Sequence, residues 1–187
     1  MNLILASQSP RRKELLATLG IPFQVIAAAI SEIPQPGEDP EAYVARVARE
    51  KGIEVASRVS GAVVLSADTE VAIDGEVLGK PVDEADAVRM LRKLSGRSHA
   101  VYTAVCVINQ VKSETLEGIE RTDVWFEPMS EAEILNYVRR ENVLDKAGAY
   151  AIQGYAGVFI AKIEGNYFNV MGLPLPLVHK LLCRTSS

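Results

Sequence analysis

The chain has 187 residues, enough for one domain with a sizeable core. Its 48% hydrophobic and 24% charged residues lie near the averages for soluble globular proteins, which excludes disordered and fibrous classes. The net charge of -4 argues against a surface built to hold nucleic acid or anionic lipid, so any positive charge that matters is local.

Two cysteines and two histidines supply neither a CxxC nor an HExxH spacing, which sets zinc aside and indicates a reducing compartment. The opening MNLILAS lacks a basic n-region and a long apolar core, so the expected location is cytoplasmic, with no membrane segment.

In chain order, NLILA predicts a short strand. Ser9-Pro10 then opens a helix over RRKELLATL, where Leu15, Leu16 and Leu19 form a stripe that ends at Gly20. A second strand, PFQVIAAAI, leads into the Pro-rich loop SEIPQPGED, and Asp39-Pro40 caps a helix reaching about Arg58. GAVVLSADTEVAI reads as a strand, with Asp74-Gly75 as a hairpin turn into EVLGKP. Asp83 opens a helix through Leu94, closed by Gly96. HAVYTAVCVI and ERTDVWFEPM read as a strand pair, and Ser130 with Glu133 as a capping box for EAEILNYVRR. The loop LDKAGAYAIQG leads to two further strands, VFIAKI and YFNVMG, and a last helix follows Pro174. With no repeat or linker, this mixture predicts one α/β domain over residues 1–187 with a mixed sheet.

Three features point to chemistry. Arg11, Arg12 and Lys13 occupy the first turn of a helix, where the dipole disfavours cations; free N–H groups and two guanidinium forks there suit a phosphate chain, although a solvated basic turn has the same sequence. Lys51 falls at the centre of the apolar stripe Val44, Val47, Ala48 and Val55, so its amine either snorkels or meets an anion, a protein carboxylate or a ligand phosphate. Asp68 follows the apolar strand GAVVLSA, where open α/β sheets present side chains to a cleft; it could hold a hard cation, orient water, or satisfy backbone groups. Glu32 lies in the Pro-flanked loop, Lys80 precedes a proline after the hairpin, and Lys146 shares a Gly/Ala-rich stretch with Asp145 and Gln153. The histidines are weak candidates, and GxxxxGK[ST], GxGxxG and a nucleophile elbow are missing, so phosphate binding would use side chains.

The segments S-Q-S-P-R-R-K-E-L-L, S-A-D-T, G-K-P, L-S-G-R-S-H, D-K-A-G-A-Y-A-I-Q-G and N-V-M-G-L-P-L, in that order from residue 7 to residue 175, resemble the Maf family. The resemblance implies a nucleoside triphosphate pyrophosphatase with an inosine-triphosphatase-like (Maf/Ham1) fold: a mixed central sheet with flanking helices and two lobes around a deep cleft. It also implies a divalent cation, Mg²⁺ or Mn²⁺. Carried over by position, the binding and catalytic set is Ser7, Ser9, Arg11, Arg12, Glu32, Lys51, Asp68, Lys80 and Gln153, with Asp68 matching the family's proposed proton acceptor. Arg11, Thr69 and Gln153 resemble members preferring dTTP and UTP. One departure is Ser31, where the family often has a second acid before Glu32.

The expected reaction is attack of water on the α phosphorus with pyrophosphate leaving. Arg11, Arg12, Lys51 and Lys80 neutralise the triphosphate, Asp68 with Glu32 holds the metal and activates water, and Thr69 and Gln153 face the base. A Gln amide both donates and accepts, which suits the edge shared by uracil and thymine. The rival reading is a nucleotide-binding regulator of cell division with little turnover; the carboxylates favour the enzyme. A nucleic-acid-binding domain is disfavoured by the charge. The oligomeric state, a homodimer included, is left open.

Overall fold

The structure, a computed structural model, describes residues 2–186. The chain runs β1 (Leu3–Leu5), α1 (Pro10–Ala17), β2 (Phe23–Val25), α2 (Pro40–Ala56), β3 (Val63–Ile73), β4 (Glu76–Val77), α3 (Glu84–Leu94), β5 (Ser98–Asn109), β6 (Glu114–Phe126), α4 (Glu131–Arg140), β7 (Ile160–Glu164), α5 (Tyr167–Val170) and α6 (Leu175–Ser186). The strands form one mixed sheet ordered β2-β1-β3-β5-β6-β7, with β4 paired to β3. β1 is parallel to both β2 and β3, whereas β3-β5, β5-β6 and β6-β7 are antiparallel.

The helix starts follow from their caps. Ser9, Asp39, Asp83 and Ser130 each accept a backbone N–H from three residues on, Pro10 and Pro40 sit at the first helical positions, and Ser130 with Glu133 completes the capping box. Asp74 (φ 55) and Gly75 (φ 78) make the tight turn between β3 and β4, both in the left-handed region that a two-residue hairpin needs.

Three elements differ from the sequence reading. The second strand keeps only three residues before the Pro-rich loop departs. β6 begins at Glu114 rather than Glu120, because β5 extends a continuous ladder from Ser98↔Trp125 to Asn109↔Glu114 and draws the acidic stretch into register. YFNVMG, expected as a strand, forms α5: Asn166 caps it by accepting from the Asn169 N–H, and the buried Asn169 amide donates to Val101 O and Thr122 Oγ1. These side-chain bonds override the strand propensity of Tyr, Phe and Val.

The apolar residues divide into cores on either side of an interruption in the apolar run of β3, which is itself continuous. One core joins Leu3, Leu5, Leu16, Leu65 and Ala67 to Leu173 and Leu181, and the face of α2 packs Val44, Val47 and Ala48 on Ala104 and Cys106. The other joins Val71 and Ile73 to Leu91, Phe126, Tyr137 and Phe159. Asp68, Thr69 and Glu70 fall between them, so the strand passes from one lobe to the other where its polar residues lie. No helix among the described residues is long and apolar enough to cross a membrane.

Candidate active site

β1 ends at Leu5, while β3 runs eight residues beyond Leu65, its last residue paired with β1. The chain leaves β1 for β2 on one side and returns from β2 to β3 on the other, and the diverging loops open a crevice at the carboxyl ends of the parallel strands. A cleft of about 500 Å³ occupies this place, in the range of ligand sites.

Nine of the ten residues singled out from the sequence line it: Ser7, Ser9, Arg11, Arg12 and Glu32 from the first lobe's loops and α1, Lys51 from α2, Asp68 and Thr69 from β3, and Lys80 after β4. The tenth, Gln153, does not line the cleft. It is exposed on a turn closed by the Gly154 N–H to Ala151 O, just past the segment that brings Asp145, Ala147 and Tyr150 to the opposite wall.

Lys51 meets protein carboxylates. Its Nζ donates to Asp68 Oδ1 at 2.7 Å and pairs with Glu32 Oε2 at 3.0 Å. Three local devices produce this triad. Ser66 Oγ donates to Ala48 O (2.7 Å), and Gly52 lets α2 lie close on β3. The Pro-rich loop is fastened to α2 by Tyr43 Oη donating to Glu32 O (3.1 Å) and by Arg46 on Glu38 and Ile33 O, which holds Glu32 beside the amine. Asp68 is buried, and its Oδ2 has no hydrogen-bond partner among the described residues.

Arg12 is also tied into the protein. Its Nε donates to Gly172 O (2.8 Å) and its Nη2 to Thr69 Oγ1 (2.9 Å). Thr69 in turn lies 2.9 Å from Thr103 Oγ1, so its hydroxyl is committed to the fold. Burial pulls the Arg12 proton affinity down, against the opposing charges of Asp68 and Glu32. Arg11 and Lys80, by contrast, make no side-chain hydrogen bond or ion pair among the described residues and are the cations left for a ligand. Ser7 Oγ accepts from Ser9 N and Ser9 Oγ from Arg12 N, which leaves each hydroxyl proton to donate.

Sequence reasoning missed Glu70. It lines the cleft, is buried, and its Oε2 has no hydrogen-bond partner among the described residues. Burial, reinforced by the charge of Asp68 and opposed by Lys80, pushes its carboxyl up to about 8. The available signal was the period of two along β3, which puts residues 68 and 70 on one face. His99, a weak candidate, is buried in the second lobe against Phe126 and Tyr150, and its Nε2 lies 2.7 Å from Tyr150 Oη. Lys146 donates to Asn142 O and Asp145 Oδ1.

Residues 2–185 match the family described as Maf-like protein. A protein of Geobacter sulfurreducens named dTTP/UTP pyrophosphatase is 50% identical over 92% of this chain and 91% of its own. One of the same name from Myxococcus xanthus is 54% identical over 92% of this chain and 87% of its own. Among solved structures, a Staphylococcus aureus Ham1 protein aligns with 67% of this chain and 72% of its own at a TM-score of 0.44 and 16% identity.

Proposed function

The chain belongs to the Maf-like protein family, and from that premise we propose that it hydrolyses UTP and dTTP between the α and β phosphates, giving the monophosphate and pyrophosphate. The observation that carries this reading is a buried carboxylate held by a lysine in a cleft that also presents free cations. A site that only bound a polyanion would gain nothing from Asp68.

Arg11 and Lys80 take the β and γ phosphates, joined by the three guanidinium donors of Arg12 that are not spent on Gly172 and Thr69, and by the hydroxyls and N–H groups at the start of α1. Lys51 fixes Asp68 through Oδ1. A carboxylate has about four acceptor positions, so Asp68 keeps capacity at Oδ2 to orient a water and take its proton as the α phosphorus is attacked. Pyrophosphate leaves as a phosphate-stabilised anion, and the site contributes position and charge.

The unpartnered Oδ2 of Asp68 is a hard oxygen donor, and carboxylates of this kind fit Mg²⁺ or Mn²⁺, held by Asp68 with Glu32. Such a cation supplies charge neutralisation on the triphosphate and acidifies a bound water. Thr69 supports Arg12, and the amide of Gln153, exposed beyond the cleft wall and without a side-chain hydrogen bond among the described residues, is the group proposed to reach the pyrimidine O4/N3-H edge. A buried thiol at Cys106 accords with a cytoplasmic location.

A panel of nucleoside triphosphates with product identification tests the reading. UTP and dTTP are expected to turn over faster than purine nucleotides, yielding monophosphate and pyrophosphate; diphosphate with orthophosphate as the main products would overturn it.

A further inference from the structure

Asp68 and Glu70 stand two residues apart on β3, so the pleat sends both side chains to the same face, into the cleft. Both are buried, with 3% and 7% of their surface exposed, and each has one carboxylate oxygen, Asp68 Oδ2 and Glu70 Oε2, without a hydrogen-bond partner among the described residues. Unpartnered buried acceptors are rare and costly, and two adjacent ones facing one cavity mark a place that a positive ligand fills. Glu32, by contrast, is exposed and has committed Oε2 to Lys51.

Resting on the proposed triphosphate hydrolysis, we infer that Glu70 is the second buried carboxylate, beside Asp68, on the divalent cation that enters with the nucleotide. This answers the departure at Ser31: the acid missing from the loop is supplied from the strand. Mg²⁺ is commonly bound by one or two carboxylates together with substrate phosphates, so two carboxylates suffice where, among the described residues, no three His, Cys, Asp or Glu side chains cluster. A cation between two carboxylates and a triphosphate also offsets the repulsion the bare site would offer, since Glu32, Asp68 and Asp145 face a polyanion there.

The test is binding without turnover. A non-hydrolysable α,β-imido analogue of UTP is titrated into wild type and Glu70→Gln at increasing Mn²⁺, with analogue affinity read by calorimetry and bound Mn²⁺ by electron paramagnetic resonance. In wild type, Mn²⁺ should tighten analogue binding. Glu70→Gln should need at least roughly tenfold more Mn²⁺ for the same effect while its metal-free affinity holds or improves. If Glu70→Gln folds poorly, Glu70→Asp, which keeps the charge and draws it back by one methylene, is expected to show a smaller shift in the same direction. A variant whose Mn²⁺ dependence stays within twofold of wild type overturns the role of Glu70 alone. A wild type that binds no analogue, or binds it without regard to Mn²⁺, overturns the reading of the site and this inference with it.

Discussion

Lys51 holds two carboxylates at once, and of the two only Asp68 is both buried and left with an acceptor oxygen unpartnered among the described residues. That asymmetry is the reason to give it the proton. Asp68→Asn keeps the shape and an amide oxygen for the lysine, so the fold should survive and metal-free affinity for a non-hydrolysable analogue should hold or improve. Turnover should fall by roughly 10² to 10⁴, the span usually lost with a general base. Steady-state kcat for UTP beside analogue Kd checks this, and turnover within a few-fold of wild type would move the role to Glu32. Lys51 was legible in the sequence as an amine in an apolar stripe, although which anion it met was not. Glu70 escaped notice although GAVVLSADTEVAI reads as one strand to Ile73, because the apolar run GAVVLSA singles out Asp68 alone; the period of two along β3 carries both acids on one face. Gln153 shows the opposite limit: a motif gives its identity, but its exposed position depends on turns that local propensity does not set.

At the level of elements, the site depends on how closely α2 lies on β3. A Cβ on Gly52 would fall 2.8 Å from Ser66 Oγ and 3.2 Å from Ile108 Cδ1, next to the lysine that must reach Asp68. Gly52→Ala should therefore be destabilising even though alanine favours a helix by about 1 kcal/mol, because overpacking costs about 1 to 3 kcal/mol. Urea unfolding should show the loss, and kcat should fall with it as Lys51 is displaced. Adding Ser66→Ala, which removes the nearest clashing atom, should recover part of both; strictly additive effects would contradict a shared contact. Helix starts were readable because Ser9, Asp39, Asp83 and Ser130 signal locally. The strand expected at Tyr167 became α5 because Asn169 bonds across to β5 and β6, a tertiary demand that the propensities of its neighbours oppose.

Across the whole molecule, apolar cores of the two lobes meet at the polar residues in the middle of β3, and the cleft there combines cations for a triphosphate with a lysine-held acid. The α/β class and mixed sheet were legible from the order of strand and helix patterns. The two-lobed cleft came from the family resemblance, since the pairing of β3 with both β1 and β5 that creates it is non-local. Placing the acid against the α phosphorus is the central claim, and the position of bond cleavage tests it most directly. Hydrolysis of UTP in ¹⁸O-labelled water, with products resolved by mass spectrometry, should put the label in UMP and leave pyrophosphate unlabelled; label in pyrophosphate, or formation of UDP and labelled orthophosphate, would contradict the account.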